Sequence, residues 1–185
     1  MKYNKIIIWD SEFTSWDWAM KRGWSWKEEF REVIQIWATI INTKTFEEEW
    51  YFLEFIKPRI NNTLSPFIID LTQITQKQIN EKWVDLIDGV QKLIKWWKWL
   101  PMYSFWGDEI VLAENFWLYK EIFPMWNRFY DVRNLFEDYN INAESFTSWT
   151  IHTALWIEST FIEHDALWDA RNIANTLKYL NKKKV

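Results

Sequence analysis

The apolar residues fall into blocks along the chain, and their period changes from block to block. "KYNKIIIWDSEF" opens with a β-branched run that meets acids, which predicts a buried strand of about five residues. A polar and aromatic loop, "TSWDWAMKRGWSWKEEF", follows. "REVIQIWATIINTKT" predicts a second strand and "EEEWYFLEFIKP" a third, closed by Pro58. The short links between these strands predict an antiparallel edge on a mixed sheet.

In "NNTLSPFIIDLTQITQKQINEKW" the pattern turns helical. Ser65 before Pro66 marks one helix start, and Thr75 with Gln78 fits a capping box for a second. Trp83, Ile87, Val90, Ile94 and Trp97 recur at helical spacing and predict one apolar helix face. "LPMYSFW" returns to a strand, and "DEIVLAENFWLYKEI" is a helix that starts in acids, as the helix dipole favours. "RFYDVRNLFEDYN" reads as a strand or turn entering a short helix, and "TSWTIHTALWIEST" as another short helix. Ala166, Ala170, Ile173, Ala174, Leu177 and Leu180 line one face of a C-terminal helix. Strands first, then strands alternating with helices, predict an α/β or α+β class with a mixed sheet covered by helices. The length of 185 residues predicts a single domain, 1–185.

Composition narrows what such a domain does. With no Cys, disulfides, thiolate nucleophiles and cysteine zinc sites are excluded. His152 and His164 are the only histidines, so a bound metal must be held mainly by carboxylates, which favours Mg²⁺ or Mn²⁺. A net charge of −4 argues against a broad basic surface for nucleic acid. It leaves room for an enzyme that grips a few phosphates through metal ions. The "NKKKV" end reads as a frayed, solvated tail. The longest apolar runs are too short for a membrane span or a signal peptide, so a cytoplasmic protein without membrane association is expected.

Three groups of residues could carry chemistry. Asp10 and Glu12, two apart on the first strand, point to one face, where their repulsion is relieved by cations between them. Asp108 begins a helix after the "MYSFWG" strand. His164 and Asp169 straddle the start of the last helix. Each group alone is equally a solvated strand end, a helix-terminal acid or a surface histidine. His152 and the aromatics from Trp83 to Trp97 read as structural.

Together, the three groups resemble the DEDDh exonuclease family, which includes RNase T and the proofreading subunit of bacterial polymerase III. The family's Asp-x-Glu-x-Thr motif is matched by Asp10, Glu12 and Thr14, its second motif by Asp108 and Leu112, and His-x-Ala-x-x-Asp-Ala by His164, Ala166, Asp169 and Ala170. "LSPFIIDLTQITQKQIN" is similar to a segment of the branch that trims RNA 3′ ends. The resemblance implies a ribonuclease H-like mixed sheet flanked by helices. It also implies a two-metal 3′→5′ exonuclease that releases 5′-nucleoside monophosphates from single-stranded RNA or DNA 3′ ends.

In that scheme Asp10 bridges two Mg²⁺ or Mn²⁺ ions, Glu12 and Asp169 complete one ion's site, and Asp108 supports the other. His164 takes the proton from the attacking water. Phe13, Thr14 and Phe105 are candidates for contacting the terminal sugar and base. A DNA proofreading or repair exonuclease and a non-catalytic nucleic-acid-binding module are the alternatives, the latter disfavoured because all five positions are filled. Since some relatives dimerise, a homodimer stays open beside a monomer.

One anomaly remains. Average usage gives about 13 Gly for this length, yet the chain has 3 Gly and 17 Trp. Where the family usually has Ile-Gly-Ala, Ser-Gly and Leu-Gly, this chain has Trp37, Trp149 and Trp156; Trp106, beside Gly107, and Trp168, beside Asp169, are similar. Trp16 and Trp24 sit where an aromatic is natural. The pattern predicts a mixture in which most of these codons are UGA, read as glycine by the source organism; a truly Trp-rich protein with UGG codons is the alternative.

Overall fold

The computed structural model describes residues 3–97, 99–105, 107–124, 128–156 and 166–183. Its centre is β1 (Lys5–Phe13), which pairs antiparallel with β2 (Val33–Asn42); β2 pairs antiparallel with β3 (Glu48–Ile56). On the other side of β1, β5 (Met102–Ser104) and then β6 (Phe129–Asp131) run parallel to it. A two-residue strand, β4 (Trp83–Val84), lies parallel to β3 and completes the order β4-β3-β2-β1-β5-β6. The sheet is mixed as expected, but the antiparallel group reaches its middle rather than forming a simple edge.

Both faces of the sheet are covered, which is why β1 and β2 are apolar without alternation. On one face Ile7 and Trp9 pack with Leu93 of α3 (Leu86–Trp97) and with Leu112 and Phe116 of α4 (Asp108–Leu118). On the other, Ile6, Ile8 and Trp37 pack with Ile173 and Leu177 of α6 (Ala166–Lys183). A smaller cluster of Ile34, Leu64, Ile68, Ile74 and Ile79 seats α1 (Pro66–Thr72) and α2 (Gln76–Glu81). Gly89 lets α3 lie close on β3: a Cβ there would stand 2.4 Å from Ile56 Cδ1.

The helix starts follow the capping chemistry in the sequence. Ser65 accepts from the Ile68 N–H at 3.1 Å, and Thr75 and Gln78 form the reciprocal capping box. Several boundaries differ from the expectation. β1 runs nine residues rather than about five, because Asp10, Ser11 and Glu12 continue its ladder opposite Trp37, Ile36 and Gln35; backbone pairing does not require apolar side chains. Trp83 belongs to β4, not to the following helix. Asp85 accepts from the Ile87 N–H at 3.0 Å and starts α3 at Leu86. α4 stops at Leu118, and Lys120 then turns left-handed at φ 61°. β6 leads into α5 (Arg133–Glu137), and Ile151–Leu155 forms a single 3₁₀ turn. Among the described residues no helix is long and apolar enough to cross a membrane.

Among the described residues nine non-glycines have positive φ, and four of them are tryptophans: Trp18, Trp24, Trp99 and Trp156. Two of the three glycines, Gly23 and Gly107, share that conformation. Bulky residues pay a steric cost there that glycine does not.

Candidate active site

β1 carries its two acids past the end of the apolar core, and α6 delivers a third from the covering layer. Ligand-capable oxygens of Asp10, Glu12 and Asp169 all lie within 4.8 Å of one another, and the three residues are less than a tenth exposed. Asp10 and Glu12 share a face because a strand's side chains repeat every two residues. Asp169 reaches the same face from the first turn of α6. Its orientation is supported by a short relay: the Ser148 hydroxyl donates to Asp169 Oδ2 at 3.3 Å, and the Asn172 amide donates to the Ser148 carbonyl at 2.7 Å. The motifs did not single out Ser148 and Asn172, which support the Asp169 side chain. Asn172 lies three residues after Asp169, the spacing at which two helical side chains share a face.

Asp108 is placed differently. It opens α4 behind Gly107, whose φ of 78° makes the turn out of the β5 end. Its Oδ1 accepts from the Ser11 backbone N–H at 3.1 Å and from the Ser11 hydroxyl at 2.7 Å. Ser11 points to the opposite face of β1 from Asp10 and Glu12, so Asp108 is bonded to β1 on the α4 side and lies outside the three-carboxylate group. Burial pushes the Asp108 carboxyl up to about 7, against the opposing pull of the two Ser11 donors. His164 lies outside the described residues.

Of the expected sugar and base contacts, Thr14 is buried, and its hydrogen bonds go to the loop that leads into β2. Its hydroxyl donates to the Phe30 carbonyl at 2.6 Å and accepts from the Glu32 N–H at 2.9 Å, and its own N–H donates to the Glu32 carbonyl. Phe13 is half-buried against the edge of Trp24. Phe105 is a core residue packed beside Phe136, so the structure assigns its ring to packing rather than to an open base-stacking position.

The donor set is hard and anionic, with no thiol or described imidazole. Three converging carboxylates at low exposure repel unless a cation lies between them, which fits divalent ions of the Mg²⁺ or Mn²⁺ type.

No family model matches the chain. Human 3′-5′ exoribonuclease 1 is 40% identical over 68 residues, 36% of this chain and 19% of that protein. The mouse protein of the same name is 38% identical over 72 residues, 38% of this chain and 20% of that protein. The matched segment therefore spans about a fifth of these relatives' length. Among solved structures, the nuclease domain of 3′hExo, a DEDDh family member bound to rAMP, superposes with a TM-score of 0.82 at 24% identity, covering 98% of this chain and 94% of that one. A 3′-exonuclease solved for 3′-end-specific recognition of a histone mRNA stem-loop gives 0.82 at 22%, covering 99% and 84%. E. coli exonuclease I in complex with a dA16 oligonucleotide gives 0.65 at 16%, covering 98% and 41%. The fold is that of the DEDDh nuclease domains.

Proposed function

We propose that this chain, a DEDDh nuclease domain in fold and in motif residues, is a metal-dependent 3′→5′ exonuclease acting on single-stranded RNA ends. The observation that carries this reading is the convergence of Asp10, Glu12 and Asp169 from two separate elements onto one face of β1. The 40% identical segment of a 3′-5′ exoribonuclease favours RNA over DNA.

Asp10, Glu12 and Asp169 would hold the divalent ions, and Asp108 would support them from the α4 side. Bound there, the ions supply Lewis-acid stabilisation of the charge on the scissile phosphate. The carboxylates fix where the phosphate sits, and low exposure of the site strengthens every electrostatic contact within it. His164, on the segment before α6, would take the proton from the attacking water, the general-base role for which imidazole is the side chain most often used. Water attack breaks the last phosphodiester bond and releases a 5′-nucleoside monophosphate, leaving a new 3′ hydroxyl on the shortened strand. Phe13 and the backbone around Thr14 border this end of β1 and are proposed to contact the terminal nucleotide.

The substrate class is tested by trimming 5′-labelled RNA and DNA strands of identical sequence with Mg²⁺ and with Mn²⁺. The RNA reading expects faster shortening of RNA in single-nucleotide steps. Equal or faster shortening of DNA moves the assignment to the proofreading and repair branch. His164→Ala is expected to bind divalent ions normally and hydrolyse slowly, and full activity in that variant removes it as the base.

A further inference from the structure

Gln35 stands directly opposite Glu12 in the β1–β2 ladder, so both side chains rise from the same face of the sheet. It is only 5% exposed, and its Oε1 is fully buried with no hydrogen-bond donor among the described residues. A buried amide oxygen without a donor is costly, and most such atoms in folded proteins find a partner. Because the atom is enclosed, the missing donor must be small and cannot be a bulky ligand group. Divalent ions of the Mg²⁺ type keep part of their hydration shell when carboxylates bind them.

We infer that Gln35 is a positioning residue of the metal site. Its amide oxygen accepts a hydrogen bond from a water in the hydration shell of the cation held by Glu12, and so fixes both that water and the Glu12 carboxylate. This inference rests on the proposed metal-dependent reading of the same site. Outer-shell partners of this kind typically change metal affinity by about 10- to 100-fold when removed.

The test is Gln35→Leu, which keeps the bulk and removes the acceptor. The affinity of the intact chain for Mg²⁺ is measured by calorimetry, and its metal-free melting temperature by circular dichroism. The expected result is Mg²⁺ binding weakened roughly 10-fold or more with an unchanged or higher metal-free melting temperature, since the orphaned oxygen is gone. Gln35→Asn, with a shorter reach, should fall between. Unchanged Mg²⁺ affinity, or a loss of affinity that only parallels a lowered metal-free melting temperature, overturns the inference. Failure of the unaltered chain to bind any divalent ion would instead remove the underlying metal-dependent reading.

A separate set of observations concerns the tryptophans. Trp156 caps the 3₁₀ turn at φ 56°, with its N–H donating to the carbonyl of Thr153, and is 96% exposed. Trp18 and Trp99 combine φ of 63° and 61° with side chains about two-thirds exposed. A left-handed turn residue with its side chain in water is a glycine position. In the interior, the indole nitrogens of Trp9 and Trp37 are two of the four buried side-chain polar atoms without a partner among the described residues. Trp24 differs: despite φ of 50°, its indole donates to the Ser15 hydroxyl at 3.2 Å and its ring meets Phe13 and Arg31. We also infer that the natural protein carries glycine at 18, 99 and 156, and at the buried positions 9 and 37, through a code that reads UGA as glycine, while Trp24 is a true tryptophan.

Codon sequencing and the intact mass of the natively expressed protein decide this. The expected result is UGA at 9, 18, 37, 99 and 156, UGG at 24, and a mass well below the 23.0 kDa of the sequence as written. UGG throughout, with that full mass, overturns it. In the chain as written, Trp156→Gly is expected to raise the melting temperature more than Trp156→Ala, because alanine still meets the left-handed backbone cost; equal effects contradict the glycine reading of that position.

Discussion

Ser11 holds Asp108 with two donors on one oxygen, its backbone N–H at 3.1 Å and its hydroxyl at 2.7 Å. The pair ties the acid-bearing end of β1 to the first residue of α4, across the face opposite Asp10 and Glu12. Two motifs nearly 100 residues apart are thus joined through a serine that neither motif specifies.

Ser11→Ala removes the shorter of these bonds and leaves the backbone donor. A hydrogen bond to a charged group contributes about 1.5–3 kcal/mol, so trimming efficiency should fall roughly 10- to 100-fold. Ser11→Thr, which keeps the hydroxyl, should retain most of it. Steady-state kcat/KM on a short RNA checks both, and an unimpaired Ser11→Ala denies the pair any role in the site.

The buried Asp108 makes the metal-free chain pH-sensitive. Its carboxyl is raised from the ordinary 3.8 to about 7 by burial. Between those values the folded chain holds a proton that the unfolded chain has lost, so stability falls as pH rises through that window. The melting temperature of the metal-free chain should therefore drop from pH 4 to pH 7 by more than that of Asp108→Asn. Added Mg²⁺ should recover part of the loss at pH 7. Parallel curves for the two chains would show that Asp108 is ionised in both states.

Glu32 is a fully buried carboxylate held by backbone donors: the N–H groups of Arg59 at 2.7 Å and Ile60 at 2.9 Å, and that of Asn61, with the Tyr119 hydroxyl added. Glu32→Ala leaves these donors buried without an acceptor and should cost about 3–5 kcal/mol. Urea unfolding measures it, and a loss under about 1 kcal/mol would mean that water replaces the carboxylate.

Gly89→Ala weighs two effects. Alanine favours the helix by about 1 kcal/mol, but its Cβ would stand 2.4 Å from Ile56 Cδ1 and 3.2 Å from Val84 Cγ2. Ile56 is itself buried, so overpacking of about 1–3 kcal/mol should win, and urea unfolding should show a net loss.

The elements legible in the sequence were those whose signals are local. Ser65–Pro66 and the Thr75–Gln78 box fixed two helix starts, and the apolar runs of β1 and β2 announced a sheet buried on both faces. Less local features were hidden. The length of β1 depends on cross-strand pairing with Trp37, Ile36 and Gln35, which apolar runs do not encode. Trp83 fits a helical period by spacing, and only its pairing with Phe55 assigns it to a strand. At the site, the motifs grouped Asp10, Glu12 and Asp169, whose ligand-capable oxygens lie within 4.8 Å of one another. Motif spacing carried no sign that Asp108 bonds to Ser11, or that Phe105 packs against Phe136, because both follow from how α4 and α5 dock on the sheet.

The most direct test of the central claim follows single-nucleotide shortening of a 5′-labelled single-stranded RNA by the full chain. It compares Mg²⁺ with excess chelator, and the unaltered chain with Asp10→Asn and Asp169→Asn. The account predicts stepwise 3′ trimming that stops on chelation and is lost in both variants, while their circular dichroism spectra stay unchanged. Trimming that survives the chelator, or that both variants retain, would contradict it.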